Sequence, residues 1–131
     1  MDKKFNSVLI IGMGLIGSSI SRALIENHVA NNVYGLDCDD KVIKKCKNLN
    51  LLIKGETDLH NFNVQFDLVI ICTPLSTYKD IFNSLADFVL QPTLVTDVGS
   101  TKMSTIEDFK NGKKNKNITF IPSHPIAGLE K

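Results

Sequence analysis

Val8-Leu9-Ile10-Ile11-Gly12-Met13-Gly14-Leu15-Ile16-Gly17 is the stretch that decides the fold. Its four leading apolar residues are successive rather than alternate, which suits a strand buried on both faces. They run straight into a G-x-G-x-x-G. After Gly14, Ile16, Ile20, Ala23 and Leu24 recur at helical spacing, with Ser18, Arg22 and Glu26 on the opposite face. Strand, glycine turn and helix in that order open a βαβ unit. Gly12 permits the tight turn, Gly14 lets a pyrophosphate approach the backbone, and Gly17 lets the helix pack closely on the strand. The helix start, with the backbone of Leu15 and Ile16, presents free N–H groups and the positive dipole end to phosphates.

Working outward, further apolar runs at 32–36, 67–72, 93–98 and 118–121 read as buried strands, and a weaker one at 51–53 as a short edge strand. Helical patterns lie between them. One covers 40–49. A second follows Pro74, with Thr77 and Asp80 spaced as a capping box and Tyr78, Ile81, Phe82, Leu85 and Val89 facing inward. A third starts near Thr101, presents Met103, Ile106 and Phe109, and stops at Asn111-Gly112. The lysine-rich segment 113–117 reads as a solvated turn. Right-handed crossovers then give an α/β, doubly wound parallel sheet of the Rossmann-like dinucleotide-binding type, in the order 3-2-1-4-5-6.

Composition agrees with one small domain. The 131 residues are 43% hydrophobic, and 15 basic against 14 acidic side chains leave a net charge of +1. That balance supplies no field favouring nucleic acid or an anionic membrane. A chain of this size buries roughly two-thirds of its unfolded surface, enough for a core without metal or disulfides. Cys38, Cys46 and Cys72 are odd in number and lack C-x-x-C spacing, so reduced thiols in a cytoplasmic protein are expected, with no metal site. Lys3 and Lys4 before an apolar run imitate a signal peptide, but Gly12, Gly14 and Gly17 break the run, and it is too short to span a bilayer. The cations are lopsided: Arg22 is the single arginine beside 14 lysines.

Ligands on such a sheet bind at the carboxyl ends of the strands. Asp37 ends the second strand about twenty residues beyond Gly17, where a carboxylate accepts hydrogen bonds from both ribose hydroxyls and repels a 2′-phosphate. NAD is therefore favoured over NADP, although Lys41 and Lys44 lie close. The bland alternative is a set of packing glycines with Asp37 as a helix cap. Cys72-Thr73-Pro74 ends the fourth strand at the switch point and is expected to touch the cofactor, Cys72 as a small core residue rather than a nucleophile. Two more strand ends carry polar residues, Ser100 after the fifth and His124 after the sixth. His124 has the placement of a base that takes a proton from an alcohol as hydride leaves the adjacent carbon, with Ser100 orienting its ring. His28 and His60 read as structural or merely exposed.

With Thr96-Asp97-Val98-Gly99-Ser100-Thr101-Lys102 and Ser123-His124-Pro125-Ile126-Ala127-Gly128 added to the glycine fingerprint, the sequence resembles the prephenate/arrogenate dehydrogenases of tyrosine biosynthesis over essentially its whole length. The resemblance implies oxidative decarboxylation of prephenate, or of arrogenate, with reduction of NAD. It also implies that His124 assists deprotonation of the ring hydroxyl while Ser100 positions it. Family members continue into a helical domain that completes the cleft, supplies cations for the substrate carboxylates and forms the dimer. This chain is expected to lack that domain and to be a truncated, nearly inactive dinucleotide-binding domain over 1–131. Recognising two carboxylates favours bidentate arginine, and Arg22 reads as a surface partner of Glu26. Lys102 is the remaining cation near the site. Two alternatives stay open: a related hydroxyacid or imino-acid dehydrogenase, and a non-catalytic dinucleotide-binding module.

Overall fold

The computed structural model describes residues 4–98 and 102–123, and of residues 102–104 the backbone alone. Six strands form one all-parallel sheet: β1 (Phe5–Ile11), β2 (Ala30–Leu36), β3 (Lys54–Glu56), β4 (Leu68–Ile71), β5 (Thr93–Asp97) and β6 (Ile118–Phe120). Their order is β3-β2-β1-β4-β5-β6, so the chain reverses direction across the sheet between β1 and β4. This is the doubly wound, Rossmann-like arrangement that the apolar runs predict. Val8, Leu9 and Ile10 have no exposed surface, as a strand covered on both faces requires.

Alternate residues of the central strands serve two cores. Leu9, Ile11, Val69, Ile71 and Val95 pack with Tyr78, Phe82 and Leu85 of α3 (Tyr78–Phe88) and with Phe109 of α4 (Lys102–Asn111). Val8, Ile10, Leu68 and Ile70 face the other way, toward Ile20 and Leu24 of α1 (Leu15–Glu26). There Ile43 and Cys46 of α2 (Asp40–Asn48) complete the layer. The 118–121 run forms β6, and 113–117 is a surface connection in which the Asn115 side-chain amide donates to the carbonyls of Ala86 and Val89, both at 2.9 Å.

Three local expectations need correction. The edge strand is Lys54–Glu56, not 51–53. Leu51 and Leu52 are apolar because they plug the core beneath α1 and α2, while β3, with one strand neighbour, is built from polar residues. The buried face of α1 runs through Gly17, Ile20, Ser21 and Leu24, whereas Ile16 and Ala23 are exposed. Close approach to β1 selects small residues there, and the Ser21 hydroxyl, fully buried, donates to the Leu51 carbonyl. Nor does Thr77 form a capping box. Its hydroxyl donates to the Pro74 carbonyl at 2.6 Å and meets the Thr73 hydroxyl at 2.7 Å, because a 3-10 turn, Leu75–Thr77, precedes α3.

Candidate nucleotide-binding site

The carboxyl ends of β1, β2 and β4 meet around a cleft of about 460 Å³. Gly12, Gly14, Asp37, Cys72, Thr73 and Pro74 line it, together with Cys38, Thr57, Thr77 and Ile81. Gly12 turns the chain at φ 97°, a region that L side chains rarely adopt, and a Cβ there would lie 2.8 Å from the Thr73 methyl. A Cβ on Gly17 would collide with the Gly12 carbonyl, which explains the tight seat of α1 on the loop.

Gly14 behaves differently. A Cβ added there meets nothing within 4 Å, so no neighbour in the protein requires glycine. The space is clear at the first turn of α1, which has no side-chain cap, and the N–H groups of Leu15, Ile16 and Gly17 have no hydrogen-bond partner among the described residues. Unpaired donors at a helix start beside an open cradle suit a phosphate. The side chains of Leu15 and Ile16 do not line the cleft. Leu15 is 86% exposed and borders a separate groove between α1 and α2.

Asp37 fastens this loop. One carboxylate oxygen accepts the Met13 N–H at 2.8 Å and the other the Asp39 N–H at 2.9 Å. Each oxygen keeps a second acceptor direction, at the wall of the cleft. The helix-cap reading of Asp37 fails, because Asp39 caps α2 by accepting the Lys41 N–H. Lys44 is engaged by Asp40 at 3.1 Å. Burial, and then the negative charge of Asp97, push the Cys72 thiol up to about 11, so it stays protonated at neutral pH, unlike a reactive thiolate.

Toward the far half of the sheet, the Asp97 carboxylate is buried at the end of β5. It accepts the Tyr78 hydroxyl at 2.9 Å and the Ser123 N–H at 3.3 Å, tying α3 and the exit of β6 to the end of β5. Ser100 and His124 lie outside the described residues. Arg22 makes no ion pair with Glu26. It is exposed on α1, beside Lys45 in the groove between α1 and α2, and does not line the nucleotide cleft. The sequence reading missed Thr57, Thr77 and Ile81 as cleft residues. Thr57 follows β3, so misplacing that strand hid it, while Thr77 and Ile81 were accounted for by capping and packing.

The family described as "Prephenate dehydrogenase, nucleotide-binding domain" matches residues 20–131. The chain belongs to this family. It is 30% identical over 125 residues to the prephenate dehydrogenase of Lactococcus lactis subsp. cremoris, covering 95% of this chain and 35% of that protein. It is 32% identical over 126 residues to the cyclohexadienyl dehydrogenase of Zymomonas mobilis, covering 96% of this chain and 42% of that one. A crystal structure of A. aeolicus prephenate dehydrogenase in complex with hydroxyphenyl propionate and NAD+ superposes with a TM-score of 0.81 at 26% identity, over 100% of this chain and 45% of that one. The chain thus spans less than half the length of these prephenate and cyclohexadienyl dehydrogenases. Among the described residues no helix is long and apolar enough to cross a membrane.

Proposed function

We propose that the chain is the NAD-binding part of an enzyme that oxidatively decarboxylates prephenate or arrogenate. The observation that carries this reading is the open cradle at Gly14 beside a glycine loop held by Asp37, in a chain of the prephenate dehydrogenase family. Gly12 and Gly14 with the N–H groups of Leu15, Ile16 and Gly17 hold the pyrophosphate, Asp37 the adenosine ribose, and Thr73 and Pro74 the floor of the switch point. Asp37 disfavours a 2′-phosphate, and of the two nearby lysines Lys44 is paired with Asp40. When bound, NAD+ supplies the hydride acceptor.

The remaining roles follow the family resemblance. His124 assists removal of the ring hydroxyl proton as hydride leaves the carbinol carbon. The ring carboxylate departs as carbon dioxide, and its bonding electron pair completes the aromatic ring. Ser100 positions the imidazole. Two substrate carboxylates need cations that Arg22 is not placed to give, so substrate binding and dimerisation are assigned to a helical domain beyond this chain. Leu15, Ile16, Val98 and Ile121, all exposed near the carboxyl edge, suit such a neighbour.

Calorimetric titration of the folded chain with NAD+ tests the reading. Saturable one-site binding without turnover is expected, and a folded chain giving no heat of binding overturns it. In a chain carrying its substrate domain, His124→Asn should lower kcat far more than NAD+ affinity. Equal losses would remove His124 from the chemistry.

A further inference from the structure

The nucleotide cleft does not end at Asp37. A second cavity of about 330 Å³ continues from it, sharing Ile11, Leu36, Thr57, Thr77 and Ile81 as walls. The residues that line this cavity and not the first are Asp58, Leu59 and His60 from the turn after β3, and Asp80 and Ser84 from α3, four of the five polar. Along the cleft the order is therefore a phosphate cradle, a ribose carboxylate, an apolar slot, and then a polar rim. A nucleotide has the same order of parts, and its base would reach the slot with its outer edge against the rim.

The two sides of the rim are not equivalent. Asp58 already caps the 3-10 turn Leu59–Asn61, accepting the His60 N–H at 3.0 Å, and its carboxylate lies 3.6 Å from the His60 ring. Asp80 and Ser84, in contrast, make no side-chain hydrogen bond or ion pair among the described residues. They stand four residues apart on α3, hence on one face, with Cβ atoms about 5–6 Å apart. A carboxylate accepts and a hydroxyl donates. The Watson–Crick edge of adenine offers the complement, an exocyclic amine that donates beside a ring nitrogen that accepts.

Resting on the dinucleotide reading above, we propose that Asp80 and Ser84 select the base, with Asp80 accepting from the adenine amine and Ser84 donating to the adjacent ring nitrogen. Hypoxanthine, which replaces the amine by a carbonyl and protonates the ring nitrogen, would set an acceptor against the Asp80 carboxylate. The discrimination arises because one partner would be left unpaired or opposed.

Titrating the chain with NAD+ and with nicotinamide hypoxanthine dinucleotide tests this by calorimetry. NAD+ should bind about tenfold more tightly, the effect of one such hydrogen bond at a half-exposed site. Asp80→Ala and Ser84→Ala should each bring that ratio toward one, mainly by weakening NAD+. Equal affinity of the two dinucleotides for the unmodified chain overturns the proposal without any variant. So does an unaltered preference in folded Asp80→Ala and Ser84→Ala chains. Failure of a folded chain to bind either dinucleotide overturns instead the reading on which the proposal rests.

Discussion

At the scale of single residues, the three glycines of one motif answer to three different constraints, and substitution separates them. Gly17→Ala drives a Cβ into the Gly12 carbonyl, where backbone must move, and should cost more than about 2 kcal/mol of stability. Gly14→Ala meets only open space on a backbone at φ −73° and ψ −154° that alanine tolerates. Its melting temperature should stay within about 2 °C of the parent, while dinucleotide affinity falls about tenfold or more. Thermal denaturation and calorimetry on both variants check the split, and a Gly14→Ala chain that binds normally would refute the cradle. Cys72 gives a pH signature at the same scale. Its thiol is raised from 9.0 to about 11, so the native state holds a proton that the unfolded chain releases near 9. The stabilisation is therefore complete below about 9 and lost as pH climbs through about 11. Iodoacetamide at pH 8 should label exposed Cys38 quickly and leave Cys72 untouched in the native state.

At the scale of elements, β1 and β4 could be read from apolar runs because burial on both faces leaves almost no other composition open to them, while β2 and β5, buried only at alternate positions, showed through Val33, Leu36, Leu94 and Val95. β3 could not. A three-residue edge strand with one hydrogen-bonded neighbour needs little apolar side chain, and in Lys54-Gly55-Glu56 it is the glycine that packs, against Ile43 and Leu52, while the nearby Leu51 and Leu52 advertise a strand and are loop. The same displacement concealed Thr57 and Asp58, which are recognisable as site residues only once the carboxyl end of β3 is known. Ser21 shows the complementary failure: a polar residue at the centre of a buried helix face, whose carbonyl partner on Leu51 is 30 residues away in sequence. The helix ends were less legible still. After α1, His28 takes φ 55° while the Val29 N–H reaches back to the Leu24 carbonyl, and after α2, Asn50 takes φ 58° while Leu51 reaches Cys46. Both are left-handed helix stops without glycine. Asparagine tolerates that region and histidine does so less well, so His28→Gly should gain about 0.5–1 kcal/mol and raise the melting temperature by about 2–4 °C. Asn50→Gly should gain less. A loss of stability in His28→Gly would mean that the imidazole makes contacts outweighing its strained backbone.

At the scale of the whole molecule, the chain reversal between β1 and β4 divides the cleft into two unequal parts. Apart from Thr73 and Pro74 at the end of β4, the groups assigned to a ligand among the described residues, from the glycine loop through Asp37 to the slot ending at Asp80, come from the ends of β1 and β2 and from α3. The β5–β6 half contributes Asp97, which is already spoken for by Tyr78 and Ser123, and the motifs that lead to Ser100 and His124. The affinity of this chain for a dinucleotide should therefore reside in the adenosine diphosphate end. ADP-ribose is expected to bind within about threefold of NAD+, and nicotinamide mononucleotide at least about a hundredfold more weakly, by competition calorimetry. The free-energy argument is directional. Pairing the phosphates with unpaired helix N–H groups and burying a base in an apolar slot are gains available to either ligand that carries them, whereas the mononucleotide brings one phosphate and no purine. Should nicotinamide mononucleotide compete as well as ADP-ribose, the ligand would lie in the opposite sense across the switch point, and Asp37 would face the wrong ribose. An ADP-ribose affinity close to that of NAD+ would place the binding free energy of this chain at the adenosine diphosphate end of the cofactor, where the unpaired helix N–H groups and the apolar slot lie.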